Sequence, residues 1–263
     1  MSKKFLFAML AAALTFGVLT GCGKKSESSN AEAKRIKART VAEDERRGIK
    51  FSEDKKTLIK YNAELKDAEY AIPSGVTTIG YGAFMGCQNL TSVTIPLSVT
   101  IIRDEAFRDC KSLTSVTIPS GVTTIGELAF YNCWNLTSVT IPSSVTTIGY
   151  MAFAGCKSLT SVTIPEGVTT IDRDAFMRCE NLTSVTIPSS VTTINGGTFY
   201  GCKSLTSVTI PSSVTTIGYE AFAECPNLKS VTIPSSVKSI SKGAFAWSPC
   251  EKQVKRDYPH LFK

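Results

Sequence analysis

From Ile72 onward the sequence repeats itself every 23 residues. Proline and phenylalanine each recur eight times at this spacing, from Pro73 to Pro234 and from Phe84 to Phe245. The string LTSVTIP occurs six times unchanged, and once more as LKSVTIP. A fixed period of about 20–30 residues is typical of a solenoid, in which each unit packs on its neighbours. The sequence therefore predicts one elongated domain of about eight units over residues 72–250, not the two globular domains that length alone would allow.

Each unit carries the pattern of two extended segments and a tight turn. Val93 and Ile95 alternate with polar residues, as in a half-buried strand, and Pro96 ends that strand because it has no N–H to donate. Residues 76–79 form a second short β-branched segment. Apolar residues within 83–87 predict one turn of α or 3₁₀ helix. We expect eight inward side chains per unit: Leu, Val, Ile, Val, Ile, Ala, Phe and Cys.

The ends of such a stack need caps, because a terminal unit has no neighbour on one side. Residues 48–71 are the predicted N-terminal cap, with Asp67 standing where the repeat has leucine. Residues 251–263 are charged and out of period, and they form the predicted C-terminal cap or tail.

The start of the chain has the pattern of an export signal. Lys3 and Lys4 precede an apolar stretch over residues 5–18, which is shorter than the about 20 residues of a membrane-spanning helix. The following Leu-Thr-Gly-Cys resembles the lipobox of bacterial lipoproteins. That resemblance implies a signal peptide over residues 1–21, lipidation of Cys22 and a membrane anchor; the alternative is an ordinary signal peptide with a chance cysteine. Residues 22–47 are interpreted as the lipidated cysteine and a polar tether.

The charge distribution disfavours nucleic acid as a partner. The chain has a net charge of +7, but residues 72–250 carry ten Lys or Arg and ten Asp or Glu. Because a phosphate-binding surface needs cations clustered on the folded body, an excess confined to the flanks does not provide one. A hydrophobic content of 43% also excludes a disordered chain.

The unit LTSVTIPSSVTTIGxxAFxxC is similar to the 23-residue leucine-rich repeat of the BspA-like, Treponema pallidum-type class over about residues 50–250. The resemblance implies an α/β, mostly β, single-domain solenoid: a right-handed leucine-rich-repeat superhelix with its parallel sheet on the concave face. It also implies a bacterial surface protein that binds host extracellular-matrix proteins or other bacteria. It implies no catalytic residue and no cofactor.

Seven cysteines occupy one column of the repeat, from Cys87 to Cys225. We interpret them as buried free thiols that fill space in the core. Disulfides between neighbouring units are an alternative, although parallel Cβ directions and an odd number fit them poorly. Metal binding is a weaker one, because neither histidine nor a CxxC pair accompanies the column. The state of Cys250 is left open.

Nothing in the repeats indicates catalysis. The one histidine is His260, near the end of the chain, and no nucleophile elbow, zinc-binding helix or phosphate-binding loop is present in the sequence. We interpret the carboxylate pairs at residues 104–105 and 172–174 as solvated surface groups. The sequence therefore predicts a protein that is not an enzyme and holds no metal.

The positions that differ between units are the candidates for binding. The predicted partner-contacting residues are Tyr81, Tyr131, Tyr150, Tyr200, Tyr219, Arg108 and Arg173. Aromatic and arginine side chains on an exposed ridge suit protein recognition, whereas drift at unconstrained surface positions is the alternative. The resulting hypothesis is a lipid-anchored cell-surface protein that binds other proteins. A structural, envelope-spacing lipoprotein is the main alternative, an antigenic decoy is a more distant one, and the oligomeric state is left open.

Overall fold

Short parallel strands stack into two columns, one for each extended segment of the unit. The computed structural model describes residues 39–263, so the predicted signal peptide, Cys22 and most of the tether lie outside the described residues. Between residues 39 and 263, no helix has the length and apolar character needed to cross a membrane. The prediction of a mostly β solenoid of about eight units with parallel sheets is confirmed.

The first column is the Ser-Val-Thr sheet. Its strands are β3 (Glu69–Ala71), β5 (Ser92–Thr94), β7 (Ser115–Thr117), β9 (Ser138–Thr140), β11 (Ser161–Thr163), β13 (Ser184–Thr186) and β15 (Ser207–Thr209). Each residue pairs with its equivalent one unit later, as Val162 does with Val185. The valine points inward while the flanking serine and threonine face solvent.

The second column is the Thr-Ile sheet, which a hairpin starts at its N-terminal end. Its strands are β1 (Lys50–Phe51), β2 (Thr57–Lys60), β4 (Thr78–Ile79), β6 (Ile101–Ile102), β8 (Thr124–Ile125), β10 (Thr147–Ile148), β12 (Thr170–Ile171), β14 (Thr193–Ile194), β16 (Thr216–Ile217) and β17 (Ser239–Ile240). Strand β1 is antiparallel to β2, and the other pairs are parallel.

The Thr-Ile sheet is interrupted between β12 and β14. In neighbouring units the backbone N–H that follows the isoleucine donates to the isoleucine carbonyl of the preceding unit, as Gly218 does to Ile194 at 2.8 Å. At the interruption the side-chain amide of Asn195 donates to the Ile171 carbonyl instead, at 2.7 Å. A side chain therefore replaces one backbone bond of the ladder.

The interior is formed by the eight predicted apolar positions. In the unit that starts at Leu113, all eight of these side chains are buried. The phenylalanines form a continuous stack, with ring centroids 4.9–5.7 Å apart and interplanar angles of 1–13°. Tyr61 extends the stack at its N-terminal end, 5.3 Å from Phe84.

The segment expected to be one helical turn is instead a series of turns in which residues with positive and negative φ occur together. Two positions in every unit have positive φ, for example Met151 (52°) and Gly155 (74°). Alternate N–H groups bond within the unit and to the next one: Cys156 donates to Phe153, whereas Phe153 donates to Ala175 at 2.8 Å. In a helix every N–H group would donate to a carbonyl of its own unit. Here half of the bonds go to the neighbouring unit, so that unit determines the conformation of the segment.

We expect Trp247→Gly to raise the free energy of unfolding by about 0.5–1 kcal/mol. Trp247 has φ of 56° and a side chain that is 71% exposed, so relief of the left-handed backbone outweighs the little burial that is lost. Glycine occupies the equivalent position at Gly86, Gly155 and Gly201. Urea unfolding followed by circular dichroism measures the change.

Ala246→Gly is the matched control. Ala246 is the preceding residue and is not among the residues with positive φ, so glycine there is expected to destabilise by about 0.5–1 kcal/mol. Equal changes in the free energy of unfolding at residues 246 and 247 would contradict the expectation that glycine stabilises only where φ is positive.

The N-terminal cap begins earlier than the sequence suggested. Residues 22–47 were expected to be tether, but α1 (Val41–Arg46) folds onto the solenoid. Thr40 caps this helix in a reciprocal box with Glu43, and the buried carboxylate of Asp44 accepts a 2.6 Å hydrogen bond from the Tyr70 hydroxyl. The helix packs here because the Asp44 carboxylate is bonded to Tyr70, 26 residues later in the chain, a contact that residues 22–47 alone do not indicate.

The C-terminal end is covered by α2 (Glu251–Asp257) and a 3₁₀ helix (Pro259–Leu261). Val254 and Leu261 are buried, and the Gln253 side chain accepts from the backbone N–H of Val231 at 3.4 Å. Phe262 bridges to Ile240 at the edge of β17. These contacts cover strand edges that would otherwise be open to pairing.

Candidate protein-binding surface

The predicted contact residues lie on the turns that follow each Thr-Ile strand. Tyr81, Tyr150, Arg173 and Tyr219 share one column, and Arg108, Tyr131 and Tyr200 share a second column four residues later in the unit. The backbone between the columns is fixed by the bonds between units described above. Side chains that differ from unit to unit are therefore displayed at constant intervals on a rigid support.

Three of the seven predicted residues form one connected cluster. The Tyr81 hydroxyl donates to Glu105 at 2.7 Å, and Arg108 Nη1 donates to the same carboxylate at 3.2 Å. The Arg108 guanidinium lies 5.6 Å from the centre of the Tyr131 ring. The hydrogen bond to Glu105 raises the pKa of Tyr81. We call this set, Tyr81, Glu105, Arg108 and Tyr131, the tyrosine–arginine cluster.

The other predicted residues are not joined to this cluster. The Tyr200 ring centre lies 6.0 Å from the Arg178 guanidinium, and the neighbouring Glu224 carboxylate raises the pKa of Tyr200. Tyr219 is 61% exposed, and the neighbouring Glu220 carboxylate raises its pKa. Tyr150 is half-buried and Arg173 is exposed. The structure thus presents one cluster near the N-terminal end and separate aromatic groups toward the C-terminal end.

Two shallow grooves occupy equivalent places beside the first column. One, of about 420 Å³, is bordered by Tyr81, Ile101 and Asp104. The other, of about 470 Å³, is bordered by Arg173, Gly196 and Tyr219. Each is open along the Thr-Ile sheet, so each suits an extended or protruding part of a protein surface more than an enclosed small molecule.

Sequence reasoning missed two exposed features. Leu97 is 82% exposed and Ile101 is 46% exposed, at positions where most other units have serine or threonine. Trp134 lies between two lysines, with the ammonium groups of Lys111 and Lys157 at 4.2 and 5.1 Å from a ring centre. Departures from an otherwise constant unit are a signal that could have identified all three side chains.

The cysteine column belongs to the core. Each thiol from Cys110 to Cys225 lies 3.0–3.4 Å from the carbonyl of a phenylalanine 26 residues earlier and donates to it. Ser248 occupies the next position of the column and donates to the Phe222 carbonyl at 2.7 Å. Cys250 is buried, and the eight cysteines of residues 39–263 are free. The thiol column is therefore a set of hydrogen-bonding core residues.

The acidic pairs do not assemble into a site. Burial raises the pKa of Asp174, whereas Asp172 accepts a hydrogen bond from the backbone N–H of Arg173. Within the part of the chain that the structure describes, no three His, Cys, Asp or Glu side chains are placed to hold a metal ion.

Repeated units, capped ends and aromatic turns define a leucine-rich-repeat scaffold. A sequence model of the BspA type leucine-rich repeat region matches six copies over residues 61–182 and 123–252. The protein therefore belongs to the BspA type leucine-rich repeat family. Domains of this class generally mediate protein–protein interaction and are not enzymes.

Two solved structures are similar to this chain. The leucine-rich repeat protein of Treponema pallidum is 26% identical with a TM-score of 0.66, over 86% of this chain and 98% of that one. A leucine-rich repeat protein of Eubacterium ventriosum is 30% identical with a TM-score of 0.53, over 76% of this chain and 48% of that one. No curated protein matches the chain.

Proposed function

We propose that this protein is a lipid-anchored surface protein that binds other proteins through the turns of its solenoid. The tyrosine–arginine cluster carries the proposal, because tyrosine and arginine are the side chains that most often dominate binding energy at protein interfaces. Its members are partly ordered before binding, which reduces the entropy lost when a partner docks.

The lipobox-like sequence at residues 19–22 supports an anchor at Cys22. Two or more acyl chains would hold the protein stably on a membrane, where one chain would not. Residues 23–38 would then separate the anchor from α1. Family resemblance supports host extracellular-matrix proteins or other bacterial surfaces as partners. An envelope-spacing protein with the same anchor and fold, but with no external partner, is the alternative.

Proteinase treatment of intact cells tests this proposal. We expect the solenoid, detected by an antibody to the repeats, to be digested without lysis, and Cys22→Ser to move the protein from the membrane fraction to the soluble fraction. Protection until lysis would contradict a surface location and favour the envelope-spacing alternative.

Adhesion of the same cells to purified matrix proteins tests the cluster itself. The double substitution Tyr81→Ala with Arg108→Ala is expected to weaken adhesion about 30-fold or more, since the loss of one hot-spot side chain alone costs about 2 kcal/mol or more. Lys252→Ala with Arg256→Ala is the control, because both side chains are exposed on α2 and lie outside the candidate surface. Unchanged adhesion of the double variant, or an equal loss in the control, would contradict binding through this cluster.

A further inference from the structure

The neutral repeat body separates its charges. Each unit divides into a strand segment, from the residue after the cysteine column to the proline, and a turn segment that contains the remainder. Over residues 72–250 the strand segments carry four lysines and one glutamate, whereas the turn segments carry six cations and nine carboxylates. The side of the solenoid that bears the Ser-Val-Thr sheet is therefore positive, and the side that bears the turns is negative.

Three of these lysines form a row. Lys111, Lys157 and Lys203 occupy the same position in every second unit, 46 residues apart. The stacked units place them about 10 Å apart, since neighbouring strands are separated by about 4.8 Å. Each lysine comes two residues before the buried leucine that opens the strand segment, so the row borders the Ser-Val-Thr sheet.

Trp134 orders the first two lysines of the row. Its ring is contacted by the ammonium groups of Lys111 and Lys157 at 4.2 and 5.1 Å. Such contacts hold a cation in place without neutralising it. Lys203 pairs with Glu180 at 3.0 Å, with a lysine side chain that is largely exposed to solvent. Lys111 and Lys157 therefore present two ordered positive charges that no carboxylate neutralises. The charge of Lys203 stays accessible, because its ion pair with Glu180 is exposed to solvent.

The sheet beside the row is a surface of hydroxyl groups. Strands β7, β9, β11 and β13 each expose one serine and one threonine, and the same pair recurs in β15. A shallow groove of about 320 Å³ runs across Ser92, Thr94, Ser115 and Thr117. Since these exposed strand positions hold neither carboxylates nor aromatic anchors, they suit a hydroxyl-rich ligand more than a protein side chain.

We propose that the lysine row and the adjoining hydroxyl face bind a linear anionic polysaccharide lying along the solenoid axis. The lysines contact its sulfate or carboxylate groups at regular intervals, and the serine and threonine hydroxyls bond to the hydroxyls of its sugars. This surface is separate from the tyrosine–arginine cluster, so the two sites can be occupied and tested independently. An acidic protein segment is the competing ligand, and the experiment distinguishes the two.

Titration of the protein with heparin, a sulfated polysaccharide, tests the proposal. Trp134 fluorescence reports binding because its ring contacts two lysines of the row, and Trp247→Phe removes the signal of the only other tryptophan. We expect a saturable fluorescence change, with an affinity that falls about 20-fold between 100 and 300 mM salt, as for about three ionic contacts. Absence of binding at low salt would overturn the proposal.

The substitutions Lys111→Gln, Lys157→Gln and Lys203→Gln together are expected to weaken heparin binding about 30-fold or more and to flatten its salt dependence. The matched control is Arg103→Gln with Lys238→Gln and Lys242→Gln, which removes three exposed cations from turn segments. The control should change affinity less than twofold. An equal loss in both triple variants would show unspecific attraction to overall charge and overturn the site.

A second variant tests the hydroxyl face. Thr140→Val with Thr163→Val keeps the β-branched shape but removes two exposed hydroxyls, and we expect it to weaken heparin binding about fivefold while leaving poly-glutamate binding unchanged. Tighter binding of poly-glutamate than of heparin would assign the row to an acidic protein and overturn the polysaccharide proposal.

Discussion

Phe153→Ala is expected to lower the free energy of unfolding by about 3–5 kcal/mol. Phe153 is completely buried and lies 5.2 Å from Phe130 and 5.4 Å from Phe176, with its ring nearly parallel to both. Its removal leaves a cavity between two units, and the units cannot close around it because the strands on both sides fix their separation. Urea unfolding measured by circular dichroism tests the size of this loss.

Phe262→Ala is the control, since Phe262 is only half-buried beside the last Thr-Ile strand. We expect this change to cost about 1 kcal/mol, because little apolar surface is lost there.

A double-mutant cycle gives a sharper comparison. Phe153→Leu and Phe176→Leu should be non-additive because the rings touch, whereas Phe107→Leu and Phe199→Leu should be additive. Additivity in both pairs would contradict a continuous stack.

The free energy of unfolding is expected to fall steeply between pH 8.5 and pH 10 under reducing conditions. Burial raises the pKa of Cys133, Cys156, Cys179 and Cys202 well above the ordinary thiol value. Burial also raises the pKa of Cys225 to about 12 and that of Cys250 to about 11. In the unfolded chain the same thiols titrate near pH 8.5, so the unfolded state loses protons that the folded state keeps.

The direction of the pH dependence follows from this difference between the folded and the unfolded pKa values. A group whose folded pKa is raised contributes its full stability below the unfolded pKa and loses it as pH rises toward the folded pKa. Each such thiol lowers the free energy of unfolding by about 1.4 kcal/mol per pH unit in this window, so the column lowers it by several kcal/mol per pH unit. Cys87 acts oppositely, because its proximity to Cys110 lowers its pKa.

Cys156→Ser with Cys179→Ser provides the test. Ser248 shows that a hydroxyl in this column makes the same bond to a phenylalanine carbonyl, so the double variant should keep the fold. A serine does not titrate in this range, and the slope of stability against pH should be smaller by about 1.4 kcal/mol per pH unit for each cysteine replaced. An unchanged slope would assign the alkaline loss to other groups, such as the tyrosines.

The repeat made most of the fold predictable from the sequence. Eight near-identical units specify which residues point inward, because each strand must bury its alternate side chains against the next unit. The structure of the N-terminal cap was less predictable from the sequence. Tyr61 lies one period before Phe84 and continues the ring stack. Thr40 with Glu43 has the pattern of a capping box. Both features lie in a part of the chain where the consensus of the repeat is no longer recognisable.

The candidate surface could be predicted only as a set of positions. The seven predicted residues stay a prediction as contact residues, and the structure connects three of them, Tyr81, Arg108 and Tyr131, into one cluster. Arg108 is three residues from Glu105 and one period from Tyr131, so the repeat places the three residues close together, but only the turn conformation decides that their side chains meet. Trp134 lies one period from Lys111 and from Lys157, so the repeat places the three residues side by side, but only the structure shows both ammonium groups against its ring.

The sequence by itself determined the period, the number of units, the inward residues and the pairing register, because a 23-residue repeat places every residue beside its own equivalent. Only the tertiary structure decided the conformation of the turns and the neighbours of their side chains. There the N–H groups alternate between their own unit and the next one, so the backbone adopts left-handed positions that an isolated segment would avoid. Hydrogen bonds between units, and not local backbone preference, determine the positions of the predicted contact residues.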